Sequence, residues 1–347
     1  TPNEGYSFLG WYVGETRISG DTTYAYYIPE CIDETSIEAR FALTSLYKGA
    51  YPQTKVTDAS LVAALSETAG ETPTEGTETL GKWTSYNYYI ERSVSHFMWY
   101  ADIQHTDGNK YRGVYFTSYR PDGTQKASPT SGSIQGAHGY AVNTVHWFKY
   151  ERIHWNILDA TQSGQYFVLA DVVLDAPSFQ HNATKNATRT VTGTDPVTGE
   201  AWNATDIYDN NWKYSDLRTF ANSTFYNTAF SAQEKTEIVT KEVDNSLTST
   251  GDTTNPYLCE NTQEKVIVLS KSDVSGMSSS LTRYATDYAK CMGAQVSKNN
   301  GATRWWMRSP RNSLSSEAWC VRDDGSLTTE AAYYTMYGFV PAAYFTL

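Results

Sequence analysis

The side chains that could do chemistry in this sequence are few and scattered. Six histidines are spread along the chain. His146 and His154 flank aromatic residues in one stretch, where an imidazole reads as structurally satisfied rather than poised as a base. Glu151 and Asp159 share that stretch but lack a partner pattern for glycoside cleavage by paired carboxylates. No G-x-S-x-G elbow, H-E-x-x-H helix, P-loop or dinucleotide fingerprint occurs. The four cysteines, Cys31, Cys259, Cys291 and Cys320, form no C-x-x-C pair and have no zinc-type spacing to histidine, so they read as isolated buried thiols. "RDDGSL" (322–327) and "IYDNNWKYSD" (207–216) are rich in oxygens, yet neither has the alternate-position spacing of an EF-hand. The Asp-Gly pair reads instead as a hairpin turn. Asn182, Asn186, Asn203 and Asn222 open N-x-(S/T) sequons and read as plain polar residues. No metal site and no cofactor is expected.

Binding is a better match to the residue types. "RWWMRSPRNS" (304–313) sets paired indoles against an Arg-Ser-Pro turn. Trp305, Trp306 and Arg308 are expected to be structural, the indoles supplying core area where aliphatics are scarce. After Pro310, small or turn-forming positions alternate with polar and aromatic ones in "NSLSSEAWCVRDDGSLTTEAAYYTMY". Ala318, Val321, Leu327 and Gly338 read as inward or turn positions. Asn312, Ser313, Ser315, Trp319, Arg322, Asp323, Ser326, Thr328, Thr329, Tyr333, Tyr334 and Tyr337 are the candidate ligand-binding residues. Tyr, Ser, Trp and Arg are the types that paratopes favour, combining rigid aromatic area with adaptable hydrogen bonding. Trp319, Arg322, Asp323, Tyr333 and Tyr334 are expected to share one exposed face. The alternative is an ordinary solvated loop surface.

The elements that must position these residues are legible in outline. A length of 347 residues suggests two or three domains, and 27 tyrosines supply much of the 40% hydrophobic fraction. A net charge of −11 opposes an electrostatic grip on phosphate backbones, so no nucleic-acid partner is expected. It is also the ordinary signature of a soluble, secreted bacterial protein. No apolar run approaches the ~20 residues that cross a bilayer. The opening residues have no signal-peptide pattern, and the chain reads as a fragment of something longer. Tyr47 to Thr54 reads as a strand ending at a Tyr-Pro turn, and Asp58 as the N-cap of a helix bearing Leu61, Val62, Ala64 and Leu65. Long loops are expected near 68–82, 120–140 and 180–212. "NTVHWFKYERIHWNILDA" and "GQYFVLADVVLDAPSF" are the best strand candidates. A helix is expected from Asp216 to about Ser223, then a turn, then a second helix from Ser231 with a Ser231/Glu234 capping box. "EKVIVLSKSDV" reads as a buried strand leading into a helix, "SLTRYATDYAKCMGA" as an amphipathic helix, and the last forty residues as hairpins and loops.

Two resemblances extend this reading. Gly5, Tyr6, Phe8, Gly10, Trp11, Tyr12, Ala39 and Phe41 match the pattern of the internalin-type β-repeats of Gram-positive surface proteins, which implies a small β-rich module over 1–43. "GAYPQT", "NTVHWFKYERIHWNILD", "LADVVLDAPSF", "LRTFANSTFYNTAFSAQE", "KVIVLSKSDV", "DYAKCMGA", "WWMRSP" and "YGFVPAAY" occur in the order seen in a family of unknown function from anaerobic gut Gram-positive bacteria. That resemblance implies an α+β, C-type-lectin-like domain over 44–347, related to the formylglycine-generating-enzyme branch. It implies a small twisted antiparallel sheet with helices packed on it, and "LYKGAYPQ" pairing near "VPAAYFTL". Arg311 stands where the family usually has glycine, and Val340 where it usually has arginine. The cysteine pair of formylglycine-generating enzymes is missing, because only Cys320 lies in the corresponding region. Variable proteins of diversity-generating retroelements carry this type of domain as a terminal ligand-binding module. The resemblance therefore implies a non-enzymatic protein of the bacterial cell surface that binds an unknown protein or glycan. The alternatives are a formylglycine-generating-like oxidase and a structural surface module without a specific ligand.

Overall fold

The computed structural model describes residues 2–26, 36–86, 97–121, 133–160, 164–181, 209–275, 277 and 281–347, with the backbone of the short strands at 90–91 and 94–95. Cys31, Asn182, Asn186, Asn203 and most of the loops expected at 120–140 and 180–212 lie outside these residues. The strands in chain order are Tyr6–Val13 (β1), Thr16–Ser19 (β2), Glu38–Leu43 (β3), Ser45–Lys55 (β4), Thr79–Leu80 (β5), Trp83–Ser85 (β6), Ile90–Glu91 (β7), Val94–Ser95 (β8) and Met98–Gln104 (β9). They continue with Lys110–Phe116 (β10), His146–Ala160 (β11), Gln165–Ala170 (β12), Lys241–Val243 (β13), Thr262–Glu264 (β14), Trp305–Pro310 (β15), Glu317–Val321 (β16), Leu327–Ala331 (β17) and Ala342–Thr346 (β18). The helices are Ala59–Ala69 (α1), Ile134–Ala137 (α2), Asp216–Thr219 (α3), Tyr226–Ala229 (α4), Ala232–Glu237 (α5), Leu247–Thr250 (α6), Lys271–Ser275 (α7) and Asp287–Cys291 (α8). Strands dominate, and the fold class is α+β.

β1 and β2 form a hairpin around Gly14–Glu15, and β3 pairs with the other edge of β1. Phe8 packs its ring against Trp11 and Phe41 at 5.6 and 5.5 Å between centroids, so aromatic contacts hold this small sheet. The Thr44 and Ser45 amides both donate to the Gly5 carbonyl, where β3 hands the chain to β4.

The main sheet has eight strands among the described residues, in the order β18-β12-β11-β10-β9-β6-β5, with β4 on the other edge of β11. The fifteen-residue β11 is its spine. β10 pairs with its first residues and β12 with its last, while β4 runs along the opposite edge. β4 and β18 therefore share a sheet without pairing, because β11 and β12 intervene; the expected pairing of first strand with last does not occur. Nor does Tyr51-Pro52 end β4. The register slips between Lys149 and Tyr150, beside the Pro52 pairing, and such an irregularity tolerates the missing proline N–H.

Aromatic rings fill the core. Trp83, Trp99, Trp147, Trp155, Trp212, Trp305 and Trp306 are all fully buried. α1 covers the outer end of the sheet, capped as expected by Asp58, whose Oδ1 accepts from the Leu61 amide at 2.8 Å. Its Leu65 and Ala69 join a second cluster with Trp83, Trp99 and Trp147. Gly49 in β4 has φ +69°, and a Cβ there would meet the Phe230 ring at 2.6 Å. That close approach lets the start of α5 dock on β4.

Elsewhere the chain departs from local propensity. α3 does not stop near Ser223; it continues through a π-helical stretch, Phe220–Phe225, into α4. Asn222 anchors that stretch. Its amide nitrogen donates to Glu264 (2.6 Å) and to the Val266 carbonyl, and its oxygen accepts from the Lys265 and Val266 amides. Residues 266–269 are buried but extend as a strand no further than a single bridge from Ile267 to Ala342. The helix expected across "SLTRYATDYAKCMGA" shrinks to α8, capped by Thr286. Bridges from Arg283 to Thr303 and from Ala285 to Val173 hold its first half extended.

Candidate functional site

The carboxyl-terminal sheet, in the order β15-β16-β17, carries the candidate residues. Alternation along β15 sends its two indoles to opposite faces. Trp305 pairs with Val321, and its Nε1 donates to the Leu281 carbonyl at 3.0 Å. Trp306 pairs with Cys320, donates to the Pro177 carbonyl at 3.2 Å, and meets Phe179 and Tyr337 edge-on. Each indole N–H finds a carbonyl, so each ring is buried without an unmet donor. Arg308, 4% exposed, donates to the Val268 and Asp244 carbonyls and to Asp273 at 2.6 Å. It ties β15 to α7 and to residues before it.

The loop between β15 and β16 is fastened from outside. Asn210, fully buried, donates through its amide nitrogen to the Leu314 (3.1 Å) and Glu317 (2.9 Å) carbonyls, and its backbone amide donates to the Ser315 carbonyl. Arg311 pairs with Glu317 at 2.5 Å and donates to Ser313. Val340 is fully buried and fills core space.

The candidate residues do not share one face. Trp319 lies opposite Thr329, on the face that also bears Glu317; Thr329 donates to Glu317 at 2.8 Å, and Lys271 sits 4.4 Å above the Trp319 ring. Thr328 lies opposite Cys320, on the other face. Glu330 is on that face too and pairs with Arg304 at 2.8 Å; Asp323 approaches the same guanidinium at 3.7 Å. Tyr333 and Tyr334 pack edge-on, and Tyr334 packs in turn on Tyr337. Tyr337 is 1% exposed and its hydroxyl accepts from Arg304, so it lies beneath the surface rather than on it. Burial and the Glu330 carboxylate push its hydroxyl pKa upward.

Exposure divides the remainder. Asn312, Ser313, Arg322 and Ser326 are exposed, while Ser315, Trp319, Asp323, Thr328, Thr329, Tyr333 and Tyr334 are half-buried. Asn312 to Ser315 lie at one end of β16 and Arg322 to Ser326 at the other, roughly 15–20 Å apart for a five-residue strand. The expected single patch is thus two faces and two ends of one hairpin. Strand alternation could have separated Trp319 from Thr328; nothing local pointed to Lys271, Arg304 or Asn210, which arrive from distant segments.

The other chemical candidates are structurally committed. Cys259, Cys291 and Cys320 are buried free thiols. Burial pushes the Cys259 thiol up to about 11 and the other two well above their ordinary value. His146 contacts the Ala141 carbonyl at 3.0 Å, with its pKa lowered by burial, and His154 lies 3.2 Å from Asp171. Asp324 accepts from both the amide and the hydroxyl of Ser326, which closes the Asp-Gly turn. Asn222 has its amide engaged in the π-helical anchor.

The family model described as "Domain of unknown function (DUF6273)" matches residues 163–346, just over half of the chain. The chain belongs to that family. The matched range holds β12 to β18 and so the whole carboxyl-terminal sheet, while β4 and β9 to β11 of the main sheet lie before it. No curated protein and no solved structure matches the chain. No helix among the described residues is long and apolar enough to cross a membrane.

Proposed function

We propose that the chain is a non-enzymatic ligand-binding protein of a bacterial cell surface, an adhesion molecule that presents a variable-type surface on a C-type-lectin-like domain behind an internalin-type repeat. The observation that carries this reading is the construction of the β16–β17 hairpin. Half-exposed Trp319 on one face of the hairpin, exposed Arg322 at its turn, and half-exposed Tyr333 and Tyr334 just after β17 surround a base whose indoles are fully buried. Adaptable binding groups on a rigid support are the usual arrangement of a recognition surface. The ligand is a protein or a glycan. The α+β architecture supports the lectin-like reading, although the separation of β4 from β18 departs from it.

The oxidase alternative requires a reactive thiol, and only the thiolate is nucleophilic or metal-binding. Burial of Cys320 opposes that form. Incubation with a cysteine-containing peptide, oxygen and copper is expected to yield no formylglycine by mass spectrometry; turnover would replace the binding reading. Kinship with retroelement variable proteins predicts a reverse-transcriptase gene and a near-repeat of the 3′ end beside the coding sequence. Absence of both would remove the diversification part of the proposal.

A further inference from the structure

A cleft of about 300 Å³ opens where β4, β10 and β11 meet α4 and α5, and none of its lining residues belongs to the β15–β17 sheet. In a chain of net charge −11, Lys110 and Arg152 line it with a single carboxylate, Glu234. That carboxylate is held by neutral donors and keeps a charge that interacts with Arg152. Its Oε1 accepts from the Gly49 amide at 2.7 Å, and its Oε2 accepts from the Ser231 amide and hydroxyl at 3.0 and 2.8 Å.

The two cations are not matched in the same way. Arg152 is exposed and donates to the Tyr47 carbonyl; among the described residues it has no ion pair with a carboxylate. The Lys110 ammonium lies 4.1 Å from the centre of the Tyr150 ring and 3.5 Å from Asp102. Asp102 is already held by both ends of the Arg112 fork, each at 2.8 Å, and by the Tyr150 hydroxyl. Arg112 neutralises Asp102, which leaves Lys110 as surplus charge. With two cations against one carboxylate the cleft carries net positive charge, with Tyr150 and Phe230 as aromatic walls and Thr228 supplying a hydroxyl.

We propose that this cleft binds a carboxylated monosaccharide. An Arg fork matches a carboxylate in geometry as well as charge, and a second cation beside it strengthens the hydrogen bonds. The Thr228 hydroxyl matches one of the sugar's own, and the volume suits one ring rather than a chain. The full chain is titrated by calorimetry with glucuronate, glucose and acetate, alongside the Arg152→Gln and Lys110→Met variants with their melting temperatures. Glucuronate is expected to bind with a millimolar or tighter Kd, at least about tenfold more tightly than glucose or acetate. Each variant that melts like the wild type is expected to lose about tenfold or more of that affinity. Three results would overturn the site: no saturable glucuronate binding, equal affinity for acetate, or undiminished binding by either variant. If neither variant folds, weakening of glucuronate binding as salt rises decides the matter, and salt-independent binding counts against the site.

Discussion

Trp306 shows how much a single residue can settle. A large ring in a tyrosine-rich, aliphatic-poor chain is expected to be buried, and its two-sided contact with Phe179 and Tyr337 bears that area out. Truncating Trp306 to Ala is expected to cost about 3–5 kcal/mol in urea unfolding; a loss below about 1 kcal/mol would mean that the site collapses freely. Tyr337 has the same residue type as Tyr333 and Tyr334 yet is buried, so type alone could not place it. Its ring packs on Trp306 and its hydroxyl accepts from Arg304, both about thirty positions away. Asp175 could not be read from the sequence either. It is 1% exposed and accepts from the Tyr51 hydroxyl and the Ala176 amide, both at 2.7 Å. Burial raises its pKa and outweighs these hydrogen bonds and the nearby arginines. A raised folded-state pKa means that the folded protein binds the proton more tightly than the unfolded one. Its contribution is fully present below the unfolded carboxylate value of about 3.9 and is lost as pH rises through the folded value. The stability of the wild type relative to Asp175→Asn is therefore expected to fall over that window in denaturation measured against pH. A difference independent of pH would contradict the assignment.

Elements with local signals are the ones the sequence makes legible. Asp58 caps α1, and the Ser231/Glu234 box caps α5, because both depend on side chains within three residues of the helix start. Removing the Ser231 hydroxyl (Ser231→Ala) is expected to cost about 1 kcal/mol by thermal unfolding. Where the deciding contacts are distant, local reading fails. The π-helical stretch continues past Ser223 because Asn222 bonds residues 264–266, and α8 is short because Arg283 and Ala285 bridge to other segments. The loop before β16 depends in the same way on Asn210, in a stretch that reads as a polar insertion. Asn210→Ala removes the side-chain donor shared by the Leu314 and Glu317 carbonyls, each of which keeps a backbone amide donor, and is expected to cost about 1 kcal/mol. Hydrogen exchange should quicken at 311–317 while amides of β11 keep their protection. Uniform quickening would mean that Asn210 supports the whole fold rather than the loop.

At the scale of the molecule, the α+β class and the position of the long strands follow from alternation and residue type. The strand order does not, because pairings such as β4 with β11 join residues about a hundred positions apart. The aromatic base and its hairpin are what make ligand binding the economical reading of such a chain. The most direct measurement is a screen of wild-type protein against arrayed glycans and extracellular proteins, repeated with Arg322→Ala and Tyr333→Ala combined in one variant. Ligand binding at the hairpin predicts that the variant melts within a few degrees of the wild type but loses at least one wild-type ligand by about 2 kcal/mol or more, roughly thirtyfold in Kd. A variant that keeps every wild-type ligand at undiminished affinity would contradict it.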